Sequence, residues 1–169
     1  SETLISVTDS AEELCEGPTI SSGIAADDET NIEINRFPNG SDATWVYLPY
    51  VPMVDGTGLA RFFRFIGQTL RHPLKTLKTL NPVGKARNSI IFLVMKTTES
   101  YVHLEWRNPW YRLFRRSVAA TQKPNDTKLE VFFPSAHEVA RRFAQRIKGT
   151  PCNSLLEILF GTPMTAHIM

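Results

Sequence analysis

Apolar and polar residues alternate with period two in NIEINRF (31–37), which sets Ile32 and Ile34 on one face and Glu33 and Asn35 on the other. TWVYLPY (44–50) is β-branched and aromatic, and PNGSD between the two segments is turn chemistry. The pattern therefore predicts an antiparallel hairpin over 31–50. TISSGIAA (19–26) supplies a further strand, closed by the acidic DDET turn. NSIIFLVMK (88–96) is an almost unbroken apolar run of strand length, the signature of a strand buried on both faces. YVHLEW (101–106) returns to alternation, with Val102, Leu104 and Trp106 facing one way and His103 and Glu105 the other. NPWYRLFRRS fits neither period, QKPND reads as a loop, and TKLEVFF (127–133) reads as another strand.

From Gly58 the period changes. Leu59, Phe62, Phe63, Ile66 and Leu70 fall at helical spacing, with arginines on the other side, so the stripe is expected to pack onto the sheet. His72-Pro73 interrupts this helix, and a second basic turn, LKTLKTL, runs to Asn81-Pro82. In PSAHEVARRFAQRIKG, Ser135 and Glu138 have the spacing of a capping box. Val139, Phe143 and Ile147 form that helix's apolar face, and Gly149 with Pro151 is expected to stop it. Five to six antiparallel strands separated by helices, without a βαβ rhythm, specify an α+β fold with helices over one face of the sheet. No repeat interrupts the chain, so 1–169 is expected to be a single domain.

Composition changes this picture little. With 42% hydrophobic residues, 169 residues suffice for a real core. No apolar run approaches a membrane span, and SETLISVTDSAEELCEG lacks the basic-then-apolar order of a signal peptide. Cys15 and Cys152 lie far apart and are expected to be free thiols; neither belongs to a cluster with metal-ligand spacing, so no metal is expected. Charge is more informative, because the net +2 is segregated. Residues 1–55 carry eleven acids and one base, Arg36, whereas Arg61, Arg64, Arg71, Lys75, Lys78, Lys85, Arg87 and Lys96 lie between Asp55 and Glu99 with no acid among them. Such a segment suits either packing against the acidic part or an anionic partner surface.

Motifs for catalysis are scarce. There is no GxGxxG, P-loop or GxSxG pattern, so nothing here would hold a dinucleotide. His103 and His137 are expected to face solvent, and His72 to serve a turn. The basic segment 59–80 is weakly charged for nucleic acid, and its phenylalanines fall at core spacing, so no nucleic-acid partner is expected. A lipid or anionic surface is the better second reading, since interfacial helices combine an apolar face with cations.

The chain closes on TAHIM (165–169), which resembles the H-x-x-G-G segment of the glucose–methanol–choline (GMC) flavin oxidoreductases, in particular their cholesterol-oxidase-like branch. SETLISV is similar to the point where such chains leave their flavin-binding domain, and the order SIIFLVMK, VHLEW, AHEVARRFAQRI is similar to that of their substrate-binding domain. The resemblance implies that 1–169 is a substrate-binding domain whose flavin-binding domain lies elsewhere in a larger enzyme, cytoplasmic or at a membrane periphery. It implies FAD in that parent and none in this stretch, which alone would be inactive. The parent's reaction would be hydride transfer to flavin from a small hydrophobic alcohol, sterol-like or otherwise, with His167 handling the hydroxyl proton. Trp45, Tyr47, Phe92 and Trp106 are candidates to line the substrate site, although each would serve equally well in an ordinary core. A glutamate of the cholesterol-oxidase-like branch has no counterpart here; its position falls near Ala86 or Arg87, neither of which is a base at neutral pH. Sterol oxidation is put in doubt by that departure, alcohol oxidation in general is not.

Overall fold

A computed structural model describes residues 2–8, 13–97, 103–108, 116–123, 125–127 and 130–161. The chain divides into two compact units, Ser1–Thr97 with Glu130–Met169 and, between them in sequence, Thr98–Leu129. In chain order the elements are β1 (Glu2–Thr8), β2 (Ile20–Ala25), β3 (Thr30–Arg36), α1 (Ala43–Tyr47), β4 (Tyr50–Pro52), α2 (Gly58–Arg71), α3 (Pro73–Leu80), β5 (Ser89–Lys96), β6 (His103–Arg107), β7 (Ser117–Thr121), α4 (Pro134–Arg146), β8 (Gly149–Ser154) and α5 (Leu155–Phe160). The first unit holds a six-stranded sheet in the order β2-β3-β5-β1-β8-β4, antiparallel at every pairing. The expected α+β class and antiparallel sheet are both present.

The apolar run of β5 ends up where its composition requires, between β3 and β1, with Ile90 through Val94 buried. Its alternate residues feed two cores. On one face Phe92 and Val94 meet Leu4, Ile32 and Ile34, in register as Leu4↔Phe92 and Ile34↔Phe92. Helix α4 covers this face through Ala136, Ala140 and Ala144, whose small side chains let the helix come close enough for the Ser6 hydroxyl to donate to the Ala140 carbonyl at 3.3 Å. Phe143 closes the layer edge-on to Phe92, ring centres 5.2 Å apart. On the other face Ile5, Val7, Ile91, Leu93 and Cys152 pack with Trp45 and Tyr50. Cys15 and Cys152 are free thiols, as expected.

The hairpin expected over 31–50 does not form. Strand β3 pairs instead with β2 and β5, while 43–47 is a helical turn. That turn is held by the Asp42 carboxylate, which accepts from the backbone N–H of Gly84 at 2.8 Å and of Ala86 at 2.9 Å. It drops the Trp45 indole into the sheet-face core beside Phe37 and Tyr50 and leaves Val46 and Tyr47 exposed. Residues 131–133 of TKLEVFF are not strand; Phe133 precedes α4, and 128–129 lie outside the described residues. The capping box is also replaced. Helix α4 begins on Pro134, whose fixed φ suits a first helical position, while the Ser135 side chain bonds Asp27 and Glu138 pairs with Arg142 at 2.8 Å. Helix α4 ends at Arg146, before Gly149 and Pro151; the left-handed residue that turns the chain is Lys148, at φ +50°, and Gly149 and Pro151 belong to β8, which pairs with β1.

The largest departure concerns α2. Its apolar stripe faces outward, with Phe63 67% and Leu70 77% exposed, while Arg61 is 1% exposed on the inner side. Helix α3 repeats the inversion, with Thr76 and Thr79 inward and Leu74 and Leu77 outward. In the second unit β6 and β7 form a two-stranded antiparallel ribbon, Trp106 opposite Val118 and both exposed. There His103 is half-buried, 3.0 Å from the Asp126 carboxylate, and not simply in solvent. Residues 101–102 of YVHLEW and 109–115 of NPWYRLFRRS lie outside the described residues.

The tight β1–β8 approach yields a stability test. A Cβ added at Gly149 would sit 2.5 Å from the Val7 carbonyl oxygen and 3.0 Å from its carbon, both backbone atoms. Gly149→Ala is expected to force the two strands apart and cost about 1–3 kcal/mol, read as a lowered thermal midpoint; an unchanged midpoint would refute that packing.

Candidate functional site

Three of the sequence-predicted residues, Trp45, Tyr47 and Phe92, lie in the first unit. His167 lies outside the described residues. Trp45 and Phe92 are buried in the cores on opposite faces of the sheet. Tyr47, 79% exposed, lies two residues beyond Trp45 on α1, and Trp106 belongs to the β6–β7 ribbon of the second unit. The structure gathers no shared pocket from Trp45, Tyr47 and Phe92. Where the branch's glutamate would fall, Ala86 is buried and Arg87 pairs with Glu13 at 3.2 Å.

What the first unit does assemble is a cleft of about 850 Å³ where β4 runs into α2, bordered by α3 and α4 and lined among others by Asp55, Phe63, Arg64, Arg71, Lys75 and Arg141. Its floor is a polar network built from β4, β8 and α4. The Met53 N–H donates to the Pro151 carbonyl at 2.9 Å, extending the β4–β8 pairing by one residue. The Val54 N–H then donates to the Asn153 side-chain oxygen at 2.7 Å. Gly56, at φ +99°, turns the chain into α2, a conformation that favours glycine. Arg61 reaches back beneath that turn, donating from Nε to the Val54 carbonyl at 3.3 Å and from Nη1 to the Val131 carbonyl at 3.0 Å. These acceptors replace the water a buried guanidinium loses.

At the centre stands Asp55. Its carboxylate lies 2.7 Å from His137 Nδ1 and accepts from the Arg141 guanidinium, and the Arg64 guanidinium donates to its backbone carbonyl at 3.0 Å. His137 is fully buried, its ring edge-on to Phe132 with centres 4.7 Å apart. The Asn153 amide nitrogen, 3.4 Å from Nε2, can only donate, so Nε2 accepts and Nδ1–H donates to Asp55. With both nitrogens engaged and no exposed surface, the imidazole braces α4 against β8 and is not presented to a substrate. The expectation that His137 faces solvent is thus overturned. Its legible signal was the i, i+4 spacing of His137 and Arg141, which puts two donors on one side of α4 next to the alanine stripe.

Electrostatically the cleft is cationic. Arg64, Arg71, Lys75 and Arg141 line it, and Asp55, its acid, is already paired. Burial pushes the Asp55 pKa up, but hydrogen bonds from Arg141 and His137, with the Arg141 charge, outweigh that and hold it below the ordinary carboxylate value. Such an arrangement can hold anionic groups near its mouth. Among the described residues no cluster of His, Cys, Asp and Glu could hold a metal ion.

Asp55 carries a stability test. A carboxylate whose folded pKa is depressed adds stability above its unfolded pKa, and that contribution is lost as pH falls through the folded value. Asp55→Asn is expected to lower the denaturation midpoint at neutral pH, by about 1 kcal/mol for a half-exposed and partly screened group. It should also flatten the loss of stability below the normal range of carboxylate titration. Denaturant melts from pH 7 to pH 3 check both; an acid slope identical to wild type would refute the pairing.

Compared with known proteins, the chain is similar along nearly its whole length to cholesterol oxidases. It is 34% identical over 158 residues to a cholesterol oxidase of Acinetobacter baumannii, covering 93% of this chain and 27% of that protein. It is 28% identical over 167 residues to one from Mycobacterium tuberculosis, with the same shares covered. No family model and no solved structure matches. The chain therefore spans about a quarter of the length of these relatives.

Proposed function

We propose that this cholesterol-oxidase-like chain is the substrate-binding domain of an FAD-dependent alcohol oxidoreductase. The observation that supports the reading is the alignment of 93% of the chain with 27% of a cholesterol oxidase, as a portion of a larger enzyme would align. The architecture supports the same division. Among the described residues every pairing in the main sheet is antiparallel, so this stretch offers no parallel βαβ crossover and no crevice at a topological switch point for a dinucleotide. Among the described residues nothing forms a dinucleotide cradle of that kind, and FAD is assigned to the remainder of the parent.

In that parent a bound flavin would supply the acceptor for a hydride from the carbinol carbon, and the hydroxyl proton would need an acceptor of its own. His167 is assigned to the oxygen, as proton acceptor or hydrogen-bond partner, roles imidazole fills because it titrates near neutrality and both donates and accepts. A hydrophobic alcohol, sterol-like or not, is the substrate class. The His137 imidazole takes no part in this chemistry, being buried away from substrate.

The test uses the full-length protein. Purified, it should carry flavin absorbance and oxidise a hydrophobic secondary alcohol. His167→Ala is expected to lower kcat by about 10²–10⁴-fold at unchanged flavin content, with His167→Asn recovering part of any loss in KM. A full-length protein without flavin, or a variant with wild-type kcat, would overturn the assignment.

A further inference from the structure

The cleft between α2, α3 and α4 collects charge that the fold leaves uncompensated. Arg64, Arg71, Lys75 and Arg141 line it against one carboxylate, Asp55, so four cations less one anion leave three positive charges in excess. Two of the four serve the fold. Arg141 is committed to the Asp55 carboxylate through Nη2, and Arg64 to the Asp55 backbone carbonyl through Nη1. Each of these guanidiniums keeps its Nε and its other Nη as donors. Arg71 and Lys75 have no such task. Both are exposed, and among the described residues no ion pair fixes either. The bend at His72 brings them together, since Arg71 ends α2 and Lys75 stands in the first turn of α3. That turn contains no acid, so the positive end of the α3 dipole adds to the same rim. Like charges gathered this way repel one another, and an anion relieves them.

The shape of the α2 wall narrows the class of anion. Phe63, Gly67 and Arg71 all line the cleft and follow one another at intervals of four, so they form one row along the helix. A glycine inside a helix costs about 1 kcal/mol relative to alanine. Close packing does not require this one, because a Cβ added at Gly67 would meet nothing within 4 Å. The middle of the wall is therefore bare backbone facing open space, with an aromatic ring at one end and a guanidinium at the other. A cleft of about 850 Å³ has the size of a small-molecule site. A single carboxylate would leave two of the three excess charges unmatched, whereas a phosphate dianion meets most of them and suits the forked donors of arginine. We infer that this cleft binds a small organic phosphate monoester. Its phosphate is held by Arg71 and Lys75 with the remaining donors of Arg64 and Arg141, and its organic body lies over Gly67 against Phe63. The inference rests on the cleft alone and is independent of the oxidoreductase reading.

The experiment is calorimetric titration of the full-length protein with inorganic phosphate and with phenyl phosphate, a monoester carrying one ring. Both are expected to bind, phenyl phosphate several-fold more tightly because its ring meets Phe63. Arg71→Ala with Lys75→Ala should weaken both by about tenfold or more. Gly67→Leu should weaken phenyl phosphate by a similar factor while leaving the melting temperature no lower, since leucine favours a helix and the space before Gly67 is open. Lys78→Ala, on α3 but outside the lining, should change neither affinity. Arg64 and Arg141 are avoided because both hold Asp55. Sedimentation with phosphatidylcholine vesicles containing phosphatidic acid, whose headgroup is also a phosphate monoester, separates the two sources of that chemistry. Binding to those vesicles that survives Gly67→Leu, with no binding of phenyl phosphate, would assign the cations to a lipid surface and overturn the inference. So would affinities indifferent to Arg71→Ala with Lys75→Ala, which would place the anion elsewhere in the protein. A fall in melting temperature on Gly67→Leu would overturn it as well, because another part of the chain would then fill the cleft.

Discussion

The buried guanidinium of Arg61 sets the terms for everything around it. Removing a cation from water costs several kcal/mol unless acceptors replace the lost hydration, and here the carbonyls of Val54 and Val131 do so. Those carbonyls belong to the segment leaving β4 and the segment entering α4, so one side chain ties α2 to both. The consequence is a helix whose inner side carries a cation beside Phe65, which packs on Val51, Val54 and Ile158, while Leu59, Phe63, Ile66 and Leu70 face outward. Each exposed Leu, Ile or Phe forgoes about 1.5–3 kcal/mol that burial would supply. Over the whole stripe this is on the order of 10 kcal/mol, comparable to the net stability of a domain.

The Asp55 cluster completes the arrangement from the opposite side. His137 and Arg141 stand one turn apart on α4 and converge on a carboxylate that follows β4, while Asn153 of β8 holds both the imidazole and the Val54 N–H. One network thus joins three elements that β-pairing and apolar packing leave loosely specified, because β4 is three residues long. A buried histidine beside a carboxylate invites a catalytic interpretation. Its burial and the engagement of both ring nitrogens argue instead for a structural role, with the chemistry left to residues that reach a substrate.

What the sequence made legible follows from what periodicity can encode. The run SIIFLVMK had to lie inside a sheet, NIEINR had to alternate, and the 3–4 spacing after Gly58 had to be helical; all three are so. The direction in which α2 faces was not legible, since a stripe announces that something covers it and not which medium does. TWVYLP misled because β-branched and aromatic residues favour strands, yet the Asp42 carboxylate, bonded to Gly84 and Ala86 far along the chain, selects a helical turn. Trp45, Tyr47 and Phe92 gather no shared pocket for a related reason. Trp45 and Phe92 are large apolar groups that a two-faced sheet needs on its separate faces, so their side-chain type carried no information about a common pocket.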